Sequence, residues 1–442
     1  MMKRRVTKRR GVPRRVLALG LGAAALGVAH AQTQLDFWHA FSDAPRSNWI
    51  AERAAEWSEM NPEYVMNTTS QGSYAETLQA TILGARQGDT PHVVMIYEIG
   101  SQLALDAGIF VPVAEVEGAF DLSDYIEPVI NYYTINGQVN SIPFNSSSPI
   151  LYFNRDLMEE AGLDPENPPE TFGELLAACE AVEAAGLSAS CFGMSLNGWF
   201  FEQWMAQQGE PLLNNDNGRS ARATEINLTS EAFVRVAEFM KEMNDRGFYT
   251  YTGRLEDWDG SDAIFANQEV VFHITSTADL ANLSAAAEEN GFELGAGLMP
   301  IPDGVERNGV VIGGASLWLL ADKPTEEQQA ALDFVLYMTN TENMVDWHKA
   351  TGYYPVRTSA VEALEAEGWF DERPTYRVAF DQLLNTRVSP ATAGGLMGNF
   401  QELRTIVAET MQRIFNGADV QAELERAKTQ AEARLAEYNS NF

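Results

Sequence analysis

Positive charge is scarce in this chain. Its 442 residues carry 30 Lys and Arg against 62 Asp and Glu, a formal net charge of −32. Neutralising a phosphate backbone needs the opposite balance, so non-specific nucleic-acid binding is excluded. Cysteine is scarcer still, and the two present cannot staple a disulfide-dense scaffold. The four histidines beyond residue 31 (His39, His92, His273 and His348) form no H-E-x-x-H or other metal-ligand spacing, so no metal site is expected. Walker A, G-x-G-x-x-G and G-x-S-x-G patterns are absent, which removes the motif-borne nucleotide and nucleophilic-serine chemistries and leaves no cofactor to expect. Glycoside hydrolysis needs only two carboxylates, so an exported hydrolase stays open as a rival class. Repeats, low-complexity tracts and long Pro- or Ser-rich linkers are missing as well. The hydrophobic fraction of 45% and aromatic fraction of 10% are those of a globular chain.

What is present begins with an unusual N-terminus. Lys3, Arg4, Arg5, Lys8, Arg9, Arg10, Arg14 and Arg15 precede an apolar run from Val16 to Val28, and Ala29-His30-Ala31 is a small-x-small cleavage site. This is the pattern of a secretory signal peptide over residues 1–31, too short for a membrane span. Arg14-Arg15-Val16-Leu17 loosely matches a twin-arginine signal, so Sec and Tat export both stay open. No apolar run of membrane-spanning length follows, and the mature chain is expected in the periplasm as a monomer.

The remainder reads as alternating strands and helices. Leu35–Phe41 and Tyr64–Thr69 are strand-like, and His92–Tyr97 is a continuous apolar run suited to a strand buried on both faces. Between them lie a helix with Ile50, Ala54 and Trp57 on one face and a helix opened by the capping box Ser73-x-x-Glu76 and closed by Gly88. Strand, helix, strand, helix, strand is the signature of βαβ units in an open α/β sheet. The pattern resumes with Thr171-x-x-Glu174 capping a helix, strand candidates Glu269–Ile274 and Val310–Leu320, and Thr325-x-x-Gln328 opening another helix. The last 40 residues read as helix in two pieces separated near Asn416-Gly417. Length and pattern together predict two α/β lobes. Cys179 and Cys191 stand 12 apart; a disulfide is permitted in a secreted chain, and a reduced core cysteine on a helix face explains Cys179 equally well.

Several segments resemble the periplasmic glycerol-3-phosphate-binding proteins of ABC importers, within the sugar-type extracellular solute-binding proteins. They are Gln71-Gly-Ser-Tyr-Ala-Glu-Thr-Leu78, Ile96-Tyr-Glu-Ile-Gly100, Ile142-Pro-Phe-Asn-Ser-Ser-Ser-Pro149 with Leu151-Tyr-Phe-Asn154, Ile312-Gly-Gly-Ala-Ser-Leu-Trp318, Thr351-Gly-Tyr-Tyr-Pro355, and Gly398-Asn399 with Arg404. They occur in the family's order across nearly the whole mature chain. The resemblance implies a two-lobed, maltose-binding-protein-like (type II) fold with three interlobe crossings, near 142–147, 310–314 and 352–355. Lobe I is then 32–143 with 315–352, and lobe II is 144–314 with 353–442. It further implies a non-enzymatic protein that captures sn-glycerol-3-phosphate or a glycerophosphodiester such as glycerophosphocholine by cleft closure and hands it to ABC permease subunits in the membrane. A neutral-sugar binder of the same fold is the rival within the class.

The resemblance also points to site residues, and each has a physical reading beside it. Tyr74 follows the capping Ser73, in a first helical turn that favours anions. Glu98 follows the apolar run at the carboxyl end of a strand, where open α/β sheets place ligands; it is expected to accept ligand hydroxyls, and so to lie away from Arg404. Ser147 sits at a crossing, Ser276 matches a second family serine with Thr275 and Thr277 as substitutes, and Gly314 follows Gly313 where backbone can approach a ligand. Tyr353, or Tyr354 in a shifted register, can present a hydroxyl. Trp199 matches a wall tryptophan, whereas the family's second one, three residues earlier, is Leu196 here. Arg404 follows the helix start Asn399-x-x-Glu402, one residue off the stripe Leu403, Val407, Met411 and Ile414. It matches the family's phosphate-binding arginine, with a bidentate fork to offer, and its removal is expected to leave the unliganded protein's stability nearly unchanged.

Overall fold

The computed structural model describes residues 32–118 and 121–442; the signal-peptide reading of residues 1–31 lies outside them. The chain opens with β1 (Thr33–His39), β2 (Tyr64–Ser70), β3 (Val93–Tyr97) and the short β4 (Phe110–Val111). A small hairpin, β5 (Thr134–Ile135) with β6 (Gln138–Val139), leads into β7 (Ile142–Ser147). Five strands of a second sheet follow: β8 (Pro149–Asn154), β9 (Ser190–Met194), β10 (Tyr249–Thr250), β11 (Val270–Ser276) and β12 (Leu294–Gly297). β13 (Gly313–Leu320) returns to the first.

The first sheet has the order β2-β1-β3-β13-β4, with β7 added on β13. Its β1 is parallel to both β2 and β3, and β13 runs antiparallel to β3, β4 and β7. The second has the order β10-β9-β11-β8-β12, in which β9 is parallel to β10 and β11 while β8 is antiparallel to β11 and β12. All five residues of β3 are buried, because helices cover both faces of the sheet. The result is the two-lobed α/β fold.

Local chemistry explains most boundaries. Ser73 and Glu76 close a reciprocal capping box on helix Tyr74–Gln87, with Gly88 left-handed at its end, and Thr171 with Glu174 does the same for helix Phe172–Ala185. Thr325 departs from expectation: it is the first helical residue and Pro324 is the cap, with no side-chain cap bond. Proline fixes φ and ends the preceding turn, so no hydroxyl is needed there. The Val310–Leu320 run becomes strand only from Gly313. The terminal helices are Phe400–Phe415 and Val420–Asn439, broken after Asn416 as expected. Cys179 and Cys191 are joined, tying helix Phe172–Ala185 to β9.

The passages between sheets frame the site. β7 ends at Ser147 in the first sheet and β8 starts at Pro149 in the second, so Ser148 is the link. Its amide donates to Thr277 Oγ1 at 3.2 Å, its carbonyl accepts from the Thr277 amide at 2.9 Å, and its hydroxyl meets Tyr354 OH. The Tyr354 amide donates to the Ser146 carbonyl at 2.7 Å, so two passages are hydrogen-bonded to each other. Gly314 has φ +108°, and a Cβ there would stand 1.9 Å from the Asn145 carbonyl oxygen across the β7–β13 pair. That close approach requires glycine whether or not a ligand is near.

Candidate functional site

A cleft of about 530 Å³ lies between the two sheets, within the range of ligand sites. Tyr74, Glu98, Ser147, Trp199, Ser276, Gly314, Tyr353 and Arg404 all line it. They come from elements as far apart in sequence as the helix that Ser73 caps and the helix starting at Phe400, and they converge because strand ends and crossings face the same gap.

On one side the Tyr74 ring stacks on Tyr97 at 5.7 Å between centroids, nearly parallel. Tyr74 OH accepts from Asn145 Nδ2 at 2.8 Å and lies 3.4 Å from Tyr353 OH. The Tyr353 ring stacks on Trp347, and its carbonyl lies 2.8 Å from His348 Nδ1. Burial raises the proton affinity of both Tyr74 and Tyr353, so both stay neutral hydroxyls. Tyr354, the shifted alternative, is instead committed to Ser148 at the crossing. The Ser276 hydroxyl accepts from the Ala278 amide at 3.1 Å, leaving its proton to donate.

Arg404 is the buried cation of the site, 9% exposed. Its Nε donates to Glu202 Oε1 at 2.6 Å, and its Nη2 donates to Glu202 Oε2 at 2.9 Å and to Glu98 Oε1 at 2.6 Å. Three of the five N–H donors are thus taken, and Nη1 has no hydrogen-bond partner among the described residues. The expectation that Glu98 lies away from Arg404 is overturned: the two are in direct contact. The reason is the fold, since Glu98 starts the turn after β3 and helix Phe400–Phe415 packs against that turn. Desolvation opposes the charge of Arg404, but the Glu202 and Glu98 carboxylates outweigh it and raise its proton affinity. Glu202 is pushed above the usual carboxylate range by burial, with Arg404 opposing. The offered fork is therefore occupied by protein. Nor does Asn399 cap its helix: its Nδ2 bonds Glu402 Oε2 at 3.2 Å and no side-chain bond reaches the helix backbone.

Several residues in and behind the cleft were not legible in the sequence. Glu202 stands one turn after Trp199 on helix Gly198–Gln207, and that i, i+3 relation is the only local sign of it. Gly198 lets this helix approach, because a Cβ there would lie 2.6 Å from Arg404 Cα. Trp258 packs on Trp199 at 5.7 Å and on Phe200 at 5.2 Å. Leu196, standing where the second tryptophan was expected, is fully buried and bridges Leu255, and the ring beside Trp199 in the lining is Trp258. Glu256, Asp259, Asp262 and Asp279 add carboxylates to the lining. Burial first, and Asp262 second, push Asp279 up to about 8. Arg46 is a second lining cation, 4.7 Å from the Phe41 ring centroid and paired with Asp43 at 2.7 Å; Asp43-x-x-Arg46 was its sequence sign.

A cleft between two sheets crossed by the chain, lined from both, is the geometry of a capture protein, and comparison with known proteins agrees. Residues 52–376 match the model of the family described as bacterial extracellular solute-binding protein. The chain is 33% identical over 411 residues to the sn-glycerol-3-phosphate-binding periplasmic protein UgpB of Salmonella typhimurium, covering 91% of this chain and 92% of that one. It is 31% identical over 409 residues to the Escherichia coli K12 protein of the same name, covering 90% and 92%. Among solved structures, UgpB from Mycobacterium tuberculosis in complex with glycerophosphocholine superposes with a TM-score of 0.75 at 22% identity, covering 92% of this chain and all of that one. The maltotriose-binding protein of Thermus thermophilus does so with 0.72 at 19% identity, covering 90% and 99%, as expected for a shared fold. With the family model spanning most of the chain and relatives above 30% identity along nearly its full length, this protein belongs to the bacterial extracellular solute-binding proteins.

Proposed function

We propose that the protein is the periplasmic binding component of an ABC importer, capturing a glycerol phosphate ester: sn-glycerol-3-phosphate or a diester such as glycerophosphocholine. The observation that carries this reading is the buried Arg404, whose two Nη1 donors are uncommitted in a cleft that both sheets line. A neutral sugar hydroxyl takes only a hydrogen bond from a desolvated guanidinium, whereas a phosphate oxygen pairs with its charge as well. In this account Ser147 and the Gly314 amide add donors to the phosphate. Glu98 Oε2, without a hydrogen-bond partner among the described residues, and the Tyr74 and Tyr353 hydroxyls serve the glycerol, and Ser276 binds from the second sheet. The bodies that close are built on the two sheets, so the expected boundaries at 143/144 and 314/315 move to the link at Ser148 and to the start of β13 at Gly313, and closure over the ligand creates the form that the permease subunits read. No catalytic residue is assigned.

The Trp199–Trp258 pair, flanked by Glu256, Asp259 and Asp262, favours the diester among these ligands. Ring faces and carboxylates are the chemistry that receives a quaternary ammonium. Titration calorimetry with glycerophosphocholine, glycerol-3-phosphate and maltose tests the reading. Both phosphate esters are expected to bind, the choline ester more tightly, and maltose not at all. Maltose binding with no heat from either ester would establish the neutral-sugar alternative, and turnover of any of the three would establish a hydrolase.

A further inference from the structure

The charges around Arg404 do not balance once an anion arrives. One guanidinium faces two carboxylates, Glu98 at 4% and Glu202 at 8% exposure, so the buried group already sums to −1. A phosphodiester, as read above, would take it to −2 in a low-dielectric site, where like charges are costly. Glu98 lines the cleft, and ligand hydroxyls can offset its charge. Glu202 does not line it; both its oxygens are on Arg404, so it offers no face to a ligand hydroxyl in the cleft. Behind Glu202 is a separate cavity of about 10 Å³ shared with Asn217 and the exposed Glu210, close to the room one water needs.

We infer that Glu202 is a positioning residue for Arg404 that takes up a proton, through this rear cavity, when the anionic ligand binds, so that capture is proton-coupled. Protonated, Glu202 still accepts from Arg404 through one oxygen and keeps the guanidinium aimed, while the site returns to −1. The groups facing Glu202 are Arg404, Glu98 and the buried Tyr132, with Glu210 across the rear cavity. From the other elements packed on its helix, Arg235 bonds Gln208 and Arg307 bonds Gln207, so neither guanidinium is hydrogen-bonded to Glu202. Burial already raises the proton affinity of Glu202, the direction that uptake needs.

The test is calorimetry with glycerophosphocholine in two buffers of different ionisation enthalpy at pH 8, where the diester itself does not titrate. The wild type is expected to take up a substantial fraction of one proton per ligand, with affinity falling by up to about tenfold per pH unit above that. Glu202→Gln keeps the shape and an acceptor oxygen, and it is expected to bind with no proton uptake, a flat pH profile and higher affinity than wild type at pH 9. A merely structural role for Glu202 would leave the uptake intact in the variant. Asp279→Asn is the control and should retain uptake. Wild-type binding without uptake, or uptake that persists in Glu202→Gln, overturns the inference alone. If Glu202→Gln does not fold, the wild-type uptake decides. No binding heat at all overturns the ligand reading, and the inference with it.

Discussion

Among the described residues two arginines line the cleft, and they are held in opposite ways. Arg46 is half-buried and bound to its own neighbourhood: Asp43 three residues back and the Phe41 ring five back. Arg404 is buried; its guanidinium lies 5.7 Å from the Phe400 ring centroid four residues back, but both its ion pairs are long-range, to Glu202 and Glu98, 202 and 306 residues away. The first arrangement survives in a short segment and contributes little to stability, as exposed pairs do. The second exists only when both sheets and the C-terminal helices are assembled, and it leaves Nη1 pointing at no protein acceptor. Deep, long-range pairing thus makes a preorganised anion site, whereas local pairing makes a charged rim.

The sharpest way to break this contrast is Arg404→Ala. It leaves two buried carboxylates facing each other, so unfolding free energy should fall by about 3–5 kcal/mol, against the small change expected from the helical stripe alone. Affinity for a glycerol phosphate ester should fall by about 2–5 kcal/mol. Denaturant melts and calorimetry check the two separately, and an unchanged melt would mean that the carboxylates are neutral in the unliganded protein.

Gly198→Ala comes next, and it attacks the floor without touching a charge. Its Cβ would stand 2.6 Å from Arg404 Cα, so the two helices must part, at a cost of about 1–3 kcal/mol and with weaker ligand binding. An equivalent loss of stability with unchanged affinity would show that the guanidinium tolerates movement.

Asp279 tests the rim through pH. Its folded proton affinity is raised by burial, to about 8 from 3.8. A raised folded value favours the folded state at low pH, and the contribution is lost as pH climbs from about 4 through about 8. Asp279→Asn should remove that decline, making the variant more stable than wild type at pH 9 and no more stable at pH 4, as read by thermal melts across the range.

The smallest effect belongs to Arg46→Ala. Its pair with Asp43 is about a quarter to a third exposed, so stability should change by no more than about 1 kcal/mol, with affinity falling less than in the Arg404 variant. A larger affinity loss than Arg404→Ala would reverse the assignment of floor and rim.

Much of the fold was legible because its signals are local. The capping boxes at Ser73 and Thr171, the apolar run of β3 and the break after Asn416 each depend on residues within one turn or strand, and each stands where the sequence puts it. The eight cleft residues were reached by joining such positions to a family resemblance. What stayed hidden was pairing: nothing near Arg404 announces Glu202, and nothing in Ile96–Gly100 says that Glu98 will meet an arginine from the last helices. Trp258 was missed for the same reason, since only packing brings it to Trp199. Arg404 itself was judged from a helical stripe, which describes one face of one helix and says nothing of the helix Gly198–Gln207 packed against it.

The most direct test is a crystal structure with glycerophosphocholine bound. A phosphate oxygen is expected within about 2.7–3.2 Å of Arg404 Nη1, with Glu202 still accepting from Arg404 and the trimethylammonium group over the Trp199–Trp258 rings. A phosphate seated on Arg46 instead, with the Arg404 cluster untouched, would contradict this placement.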